Sequence, residues 1–176
     1  MAQLIEIKKV VIGVQYFTAT VEFSETGPIF TSEDLEATTR IYNLMPSIVD
    51  QACLGDGSTI FRDVMGSTEI AHLLEHVAIE LLARTNKVDE ITAGRTWIED
   101  EGSRCYTIQL SCADDVLVAA AFSSAVWLVN WAFAGGGAPV PDVDAMVEGL
   151  RALVEGLVAP QDTPPDGLDV MVQDVD

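Results

Sequence analysis

His72 and His76 are the only two histidines in the 176-residue sequence, and Glu75 stands between them in the run Ile70-Ala-His-Leu-Leu-Glu-His-Val-Ala-Ile-Glu-Leu-Leu82. On a helix the second imidazole lies roughly 40° around from the first and about 6 Å along the axis, while Glu75 lies roughly 60° to the other side of His72. The three polar groups therefore fan out from one face, in reach of one ion and one water. Two neutral imidazoles can hold zinc, and a carboxylate at this spacing can take a proton from metal-bound water. The pattern suits a zinc hydrolase with His72 and His76 as metal ligands and Glu75 as catalytic base.

A structural reading stands beside the chemical one. Leu73, Leu74, Val77, Ala78, Leu81 and Leu82 make the helix apolar nearly all round, as in a buried core helix. Histidines in such a helix can be structural groups bonded to backbone carbonyls. Burying two imidazoles and a carboxylate without partners costs on the order of several kcal/mol, however, and a shared metal would offset that cost.

Composition narrows the field. A formal charge of −19 and a pI near 4.1 argue against nucleic acid, whose backbone needs clustered Lys and Arg, and favour cationic or zwitterionic partners. A hydrophobic content of 49% belongs to a globular chain. Cys53, Cys105 and Cys112 are too few and too irregular for a disulfide framework. The N-terminus shows no signal-peptide pattern, so the expectation is a cytoplasmic protein. Residues 116–141 carry no charge, and 116–134 are long enough to span a thin bilayer. Ser123, Ser124 and Asn130 interrupt that stretch, and no Lys or Arg flanks it. A buried helix and no membrane partner are expected. A homo-oligomer is compatible with these features.

Periodicity gives the elements that must position the site. Stretches 4–15 and 17–23 are rich in β-branched and aromatic residues and predict two strands. After the break at Gly27-Pro28, Thr31 can cap a helix whose apolar face is Leu35, Ile41, Leu44 and Met45 and which stops at Pro46. A short helix over 47–52 would present Ile48 and Val49 inward and deliver Cys53, and residues 55–58 predict a turn. The histidine helix should run over 68–84, capped by Ser67. Residues 95–98 and 105–112 predict a hairpin, a long helix begins at Asp115 and ends at Gly135-Gly136-Gly137, and a last amphipathic helix covers 143–158. The order predicts one α+β domain over 1–158, helices on one face of a mostly antiparallel sheet, with a Pro- and Asp-rich tail over 159–176.

From Met45 to Leu128 the chain resembles the N-terminal domain of cyanophycin synthetase, the enzyme that builds an Arg-grafted poly-Asp polymer. The matching residues are Met45-Pro46-Ser47-Ile48 with Asp50 and Cys53, then Gly66-Ser67, then His72 to Leu81 against the family's H-x-x-E-H-V-A-L-E-L. Arg95-Thr96 matches its G-R-T, Tyr106 its strand tyrosine, Asp114-Asp115 its acidic pair, and Ala125-Val126 with Leu128 the helix that follows. In that family the domain binds the polymer, and in some members its H-x-x-E-H site is a zinc peptidase-like centre that cuts polymer into primers. The resemblance implies a stand-alone metallohydrolase-like fold similar to S-ribosylhomocysteine lyase and pitrilysin-type peptidases. It also implies that Cys53 completes a Zn2+ site with His72 and His76. The synthetases continue into ATP-grasp and ligase domains far longer than the residues that follow here, so synthesis is not expected. Gln51 stands where the family often has a His, and Trp97 where it has an Arg.

A thiolate with two imidazoles leaves a fourth position open, the pattern of a catalytic site. Asp115 and Glu80 are the rival third ligands. Glu80, four residues after His76, could instead accept the imidazole's second N–H. The alternative for Cys53 is a small buried hydrophobe, for Asp114-Asp115 a helix cap, and for Arg95 a surface ion pair rather than a substrate carboxylate. Three functions compete: a zinc-dependent hydrolase of peptides or a cyanophycin-like polymer, a non-catalytic module that binds them, and a carbon–sulfur lyase using the same ligands.

Overall fold

Strict alternation in Tyr16–Phe23 (β2) decides which way the sheet faces. Phe17, Ala19, Val21 and Phe23 are all 2% exposed or less, while Thr18, Thr20 and Glu22 lie on the opposite face. The computed structural model describes residues 3–53, 60–87 and 93–158. Within them β2 pairs antiparallel with Ile5–Ile12 (β1) and with Cys105–Ser111 (β4), and β4 pairs antiparallel with Gly94–Ile98 (β3). The sheet order is β1-β2-β4-β3. Register puts Tyr106, Ile108 and Leu110 on the same face as Phe17 and Val21.

That face is covered by helices. Asp115–Phe133 (α3) packs over β1 and β2, and Ile70–Thr85 (α2) over β3 and β4. Leu35–Leu44 (α1) lies against α3, and Val143–Val158 (α4) against both α2 and α3. Phe17 meets Phe122 of α3 with ring centroids 5.2 Å apart, and Phe23 meets Tyr106 edge-on at 5.5 Å. The fold is the expected α+β arrangement, with the helices on one face of an antiparallel sheet.

The uncharged stretch forms α3, which is long and apolar enough to cross a membrane, and half of that window is buried inside the fold. Its polar interruption has a structural use. Asn130 accepts from Ile5 N–H at 2.9 Å and donates to Ile5 C=O at 3.0 Å, tying α3 to the rim of β1. Asp114 caps the helix by accepting from Leu117 N–H at 2.8 Å, and Arg40 closes its other end on the Ala132 carbonyl.

Two expected caps are placed differently. Thr31 is buried in a short 3-10 turn, where its hydroxyl bonds the backbone of Thr68, and Asp34 caps α1 instead through Ala37 N–H. Ser67 does not cap α2, whose first turn is led by Glu69 with no side-chain cap. The expected helix over 47–52 is a 3-10 turn, Pro46–Asp50, because Pro46 fits a first-turn position and the chain extends again at Gln51. The turn at 55–58 and the tail at 159–176 lie outside the described residues.

Candidate metal centre

Burial divides α2 into working faces. Ile70, Leu73, Leu74, Val77, Leu81 and Leu82 anchor it in the core. His76 and Glu75 are buried and His72 is half-buried, the two imidazoles on one flank facing Gln51, Cys53 and Phe61. Beside this flank the 3-10 turn after α1 delivers Gln51 and Cys53. A bridge between Ala52 and Ile60 and a bond from Phe61 N–H to the Gln51 carbonyl at 3.0 Å then return the chain beside its own path. Phe61 stacks on the His76 ring at a centroid distance of 3.8 Å and meets His72 edge-on at 5.5 Å. This apolar plate limits both imidazoles to a narrow range of orientations.

The rings converge with the thiol. His72 Nε2 lies 3.1 Å from His76 Nε2 and 3.5 Å from Cys53 Sγ. One ligand atom from each residue lies within 4.8 Å of the others. Among the described residues this is the group of three or more His, Cys, Asp or Glu side chains that could hold a metal ion. Neither rival third ligand joins it. Asp115 is exposed at the first position of α3 with its carboxylate on Val116 N–H, and Glu80 is bonded to Ser47, Gln51 and Arg84.

Hydrogen bonding assigns the His76 tautomer. Gln51 Nε2 donates to Glu80 Oε2 at 2.8 Å and to the His76 carbonyl at 3.2 Å, both groups that only accept. The Gln51 carbonyl oxygen is therefore what faces His76 Nδ1, 2.7 Å away, and it accepts that nitrogen's proton. The lone pair of His76 then sits on Nε2, aimed at His72 and Cys53. His72 is held through Nδ1 by the Thr68 hydroxyl at 2.9 Å. Burial, and secondarily the positive charge His72 can carry, lowers the His76 pKa to about 3, so the ring is neutral at ordinary pH. Neutral imidazole is the form that binds a metal.

Glu75 lies on the sheet side of the same helix. Its Oε2 accepts from the Thr96 hydroxyl of β3, and its carboxylate rests against Gly94, where an added Cβ would come 2.4 Å from Oε1. The acid is thus wedged between α2 and the outer strand. Arg95, next along that strand, is exposed and makes no ion pair among the described residues.

Glu80 reaches His76 through Gln51, so the direct carboxylate–imidazole bond expected from the i, i+4 spacing is absent. The Gln51 amide occupies the space between them, and Arg84 and Ser47 hold Glu80 from its other side. Sequence reasoning noticed Gln51 only as a departure from a family pattern, and it passed over Phe61, Thr68, Gly94 and the role of Thr96. No local spacing signals Gln51, Phe61, Gly94 or Thr96, since 11 to 25 positions separate them from the histidine or glutamate they touch, and Thr68, four residues before His72, stands ahead of the helix.

Residues 9–133 match the family model described as the cyanophycin synthase-like N-terminal domain. The match takes in Cys53, α2, β3 and α3, and stops before α4. No curated protein sequence matches the chain.

Proposed function

Since the chain belongs to the cyanophycin synthase-like N-terminal domain family, we propose that it is a zinc-dependent amide hydrolase acting on a peptide or a cyanophycin-like Asp/Arg polymer. The observation that carries the reading is the convergence of Cys53 Sγ with two Nε2 atoms, one with its lone pair assigned inward. Two ring nitrogens 3.1 Å apart need a cation or a shared proton between them. A thiolate with two imidazoles is a donor set that zinc favours. His72, His76 and Cys53 would hold the ion, and Phe61 would shield one side of it from water. When bound, zinc supplies a Lewis acid that polarises a carbonyl and lowers the pKa of a water. Glu75, held by Thr96 and Gly94, would accept the proton of the attacking water and return it to the leaving amine. Arg95 is exposed on the opposite face of β3 from Thr96, away from Glu75, so a substrate carboxylate held there would lie across the strand from the base.

The test separates metal from chemistry. Zinc should co-purify with untagged protein near one equivalent and fall sharply in His72→Ala and in Cys53→Ala. Glu75→Gln should keep the zinc and lose cleavage of Asp/Arg polymer. Equal trace metal in all variants would refute the centre. A fully zinc-loaded protein without Glu75-dependent turnover would favour a binding module.

A further inference from the structure

The two outer strands of the sheet are treated differently. On β1 the register breaks between Ile7 and Lys9, Lys8 is ion-paired with Glu6 and Glu22, and the outward N–H and C=O of Ile5 are taken by Asn130. A bulge, charges and a covering side chain are the devices that keep a strand edge from pairing. Among the described residues β3 has neither a bulge nor a covering side chain: it pairs with β4 without a register shift. Its ladder is bounded by Ser111 N–H to Ala93 C=O at 2.9 Å and Glu99 N–H to Cys105 C=O at 3.0 Å. Alternation from these two bonded pairs sends the backbone groups of Arg95 and Trp97 toward β4 and those of Gly94, Thr96 and Ile98 outward. Among the described residues these outward groups have no backbone partner.

The same strand carries the contacts to Glu75, through Thr96 Oγ1 and the bare Cα of Gly94. Just past its end Glu99, Asp100 and Glu101 are exposed. We propose that β3 is the docking edge for the substrate: an extended oligoamide with cationic side chains adds as a fifth strand along Gly94, Thr96 and Ile98. Main-chain bonds to those three residues supply register and affinity, and the acidic turn selects cationic groups. This deepens the hydrolase reading and rests on it for one consequence, that a backbone amide of the docked strand comes to lie beside Glu75.

The experiment is amide hydrogen exchange by NMR on the zinc-loaded protein, with and without a synthetic peptide of alternating Arg and Asp. Exchange at Gly94, Thr96 and Ile98 should slow by about tenfold or more on binding, while Arg95 and Trp97, already in the ladder, change little. Ile98→Pro removes an outward donor and spares the ladder, so peptide affinity should fall by about tenfold with the circular dichroism spectrum unchanged. As a control that leaves the protein untouched, N-methylation of the peptide in one alternating register should abolish binding and in the other should not. Failure of the peptide to bind, unchanged exchange at saturation, or equal binding of both methylated registers would overturn the docking edge. Slowed exchange without Glu75-dependent cleavage would refute the hydrolase reading and uphold the edge. Cleavage that needs Glu75 while the β3 amides stay unchanged would do the reverse.

Discussion

Gln51 is the residue that sets the tautomer of His76, on which the proposed zinc site depends. Its amide can satisfy Glu80 and the His76 carbonyl only by presenting nitrogen to them, which leaves oxygen for the imidazole N–H. Gln51→Leu keeps the volume and removes that instruction, so zinc affinity should fall by about 10- to 100-fold in a chelator competition while the fold persists. Gly94 is constrained from the other side. A methyl group there would overlap Oε1, Cδ and Cγ of Glu75 at 2.4 to 2.6 Å. The Cγ contact cannot be relieved by turning the carboxylate alone. Gly94→Ala should therefore destabilise the protein by about 1–3 kcal/mol in urea titration and displace the base, with turnover lost and zinc retained.

At the scale of elements, α2 carries both histidines of the candidate centre and its neighbours hold it still. α3 and α4 pack along it, β3 and β4 lie under it, and Arg151 closes its C-terminal end on the Thr85 carbonyl at 2.9 Å. α3 depends on a cap of its own, and the paired acids at its start divide their roles. Asp114→Ala removes the bond to Leu117 N–H and should cost about 1 kcal/mol of stability by thermal or urea unfolding. Asp115→Ala, outside the centre, should leave zinc content unchanged by mass spectrometry. A loss of zinc in that variant would return Asp115 to the ligand set.

For the whole molecule, pH couples the centre to stability. Burial holds His76 well below its ordinary value, to about 3, so the unfolded chain takes up the proton first. The metal-free protein should therefore keep the full contribution above about pH 6.5 and lose it as pH falls toward 3, by at most on the order of 5 kcal/mol. Urea midpoints of chelator-treated protein measured across that range should drop on acidification. A flat profile would show that His76 keeps its proton-binding strength in the fold. Zinc should raise the midpoint above pH 6.5 and lose its effect as protons compete for the imidazoles.

The sequence alone determined whatever repeats along the chain. The β-branched and aromatic content of 17–23 predicted β2, helical spacing placed α2 and α4 within two residues of their observed ends, and the lack of Lys or Arg flanking the uncharged stretch marked α3 as a core helix. His72 and His76 were legible because a helix converts spacing into a shared face, whereas Glu75 turns to β3 and Cys53 entered only through resemblance. Tertiary structure decided the partners of those groups. Thr68 belongs to His72 rather than to a cap because Thr31 already holds its backbone. Gln51 stands between Glu80 and His76 because a 3-10 turn after Pro46 places it there. Gly94 and Thr96 reach Glu75 across 19 and 21 residues because β3 forms the outer strand under α2. Local patterns record the period of an element, whereas contacts between elements depend on the register in which they pack, and no single stretch of sequence encodes that register.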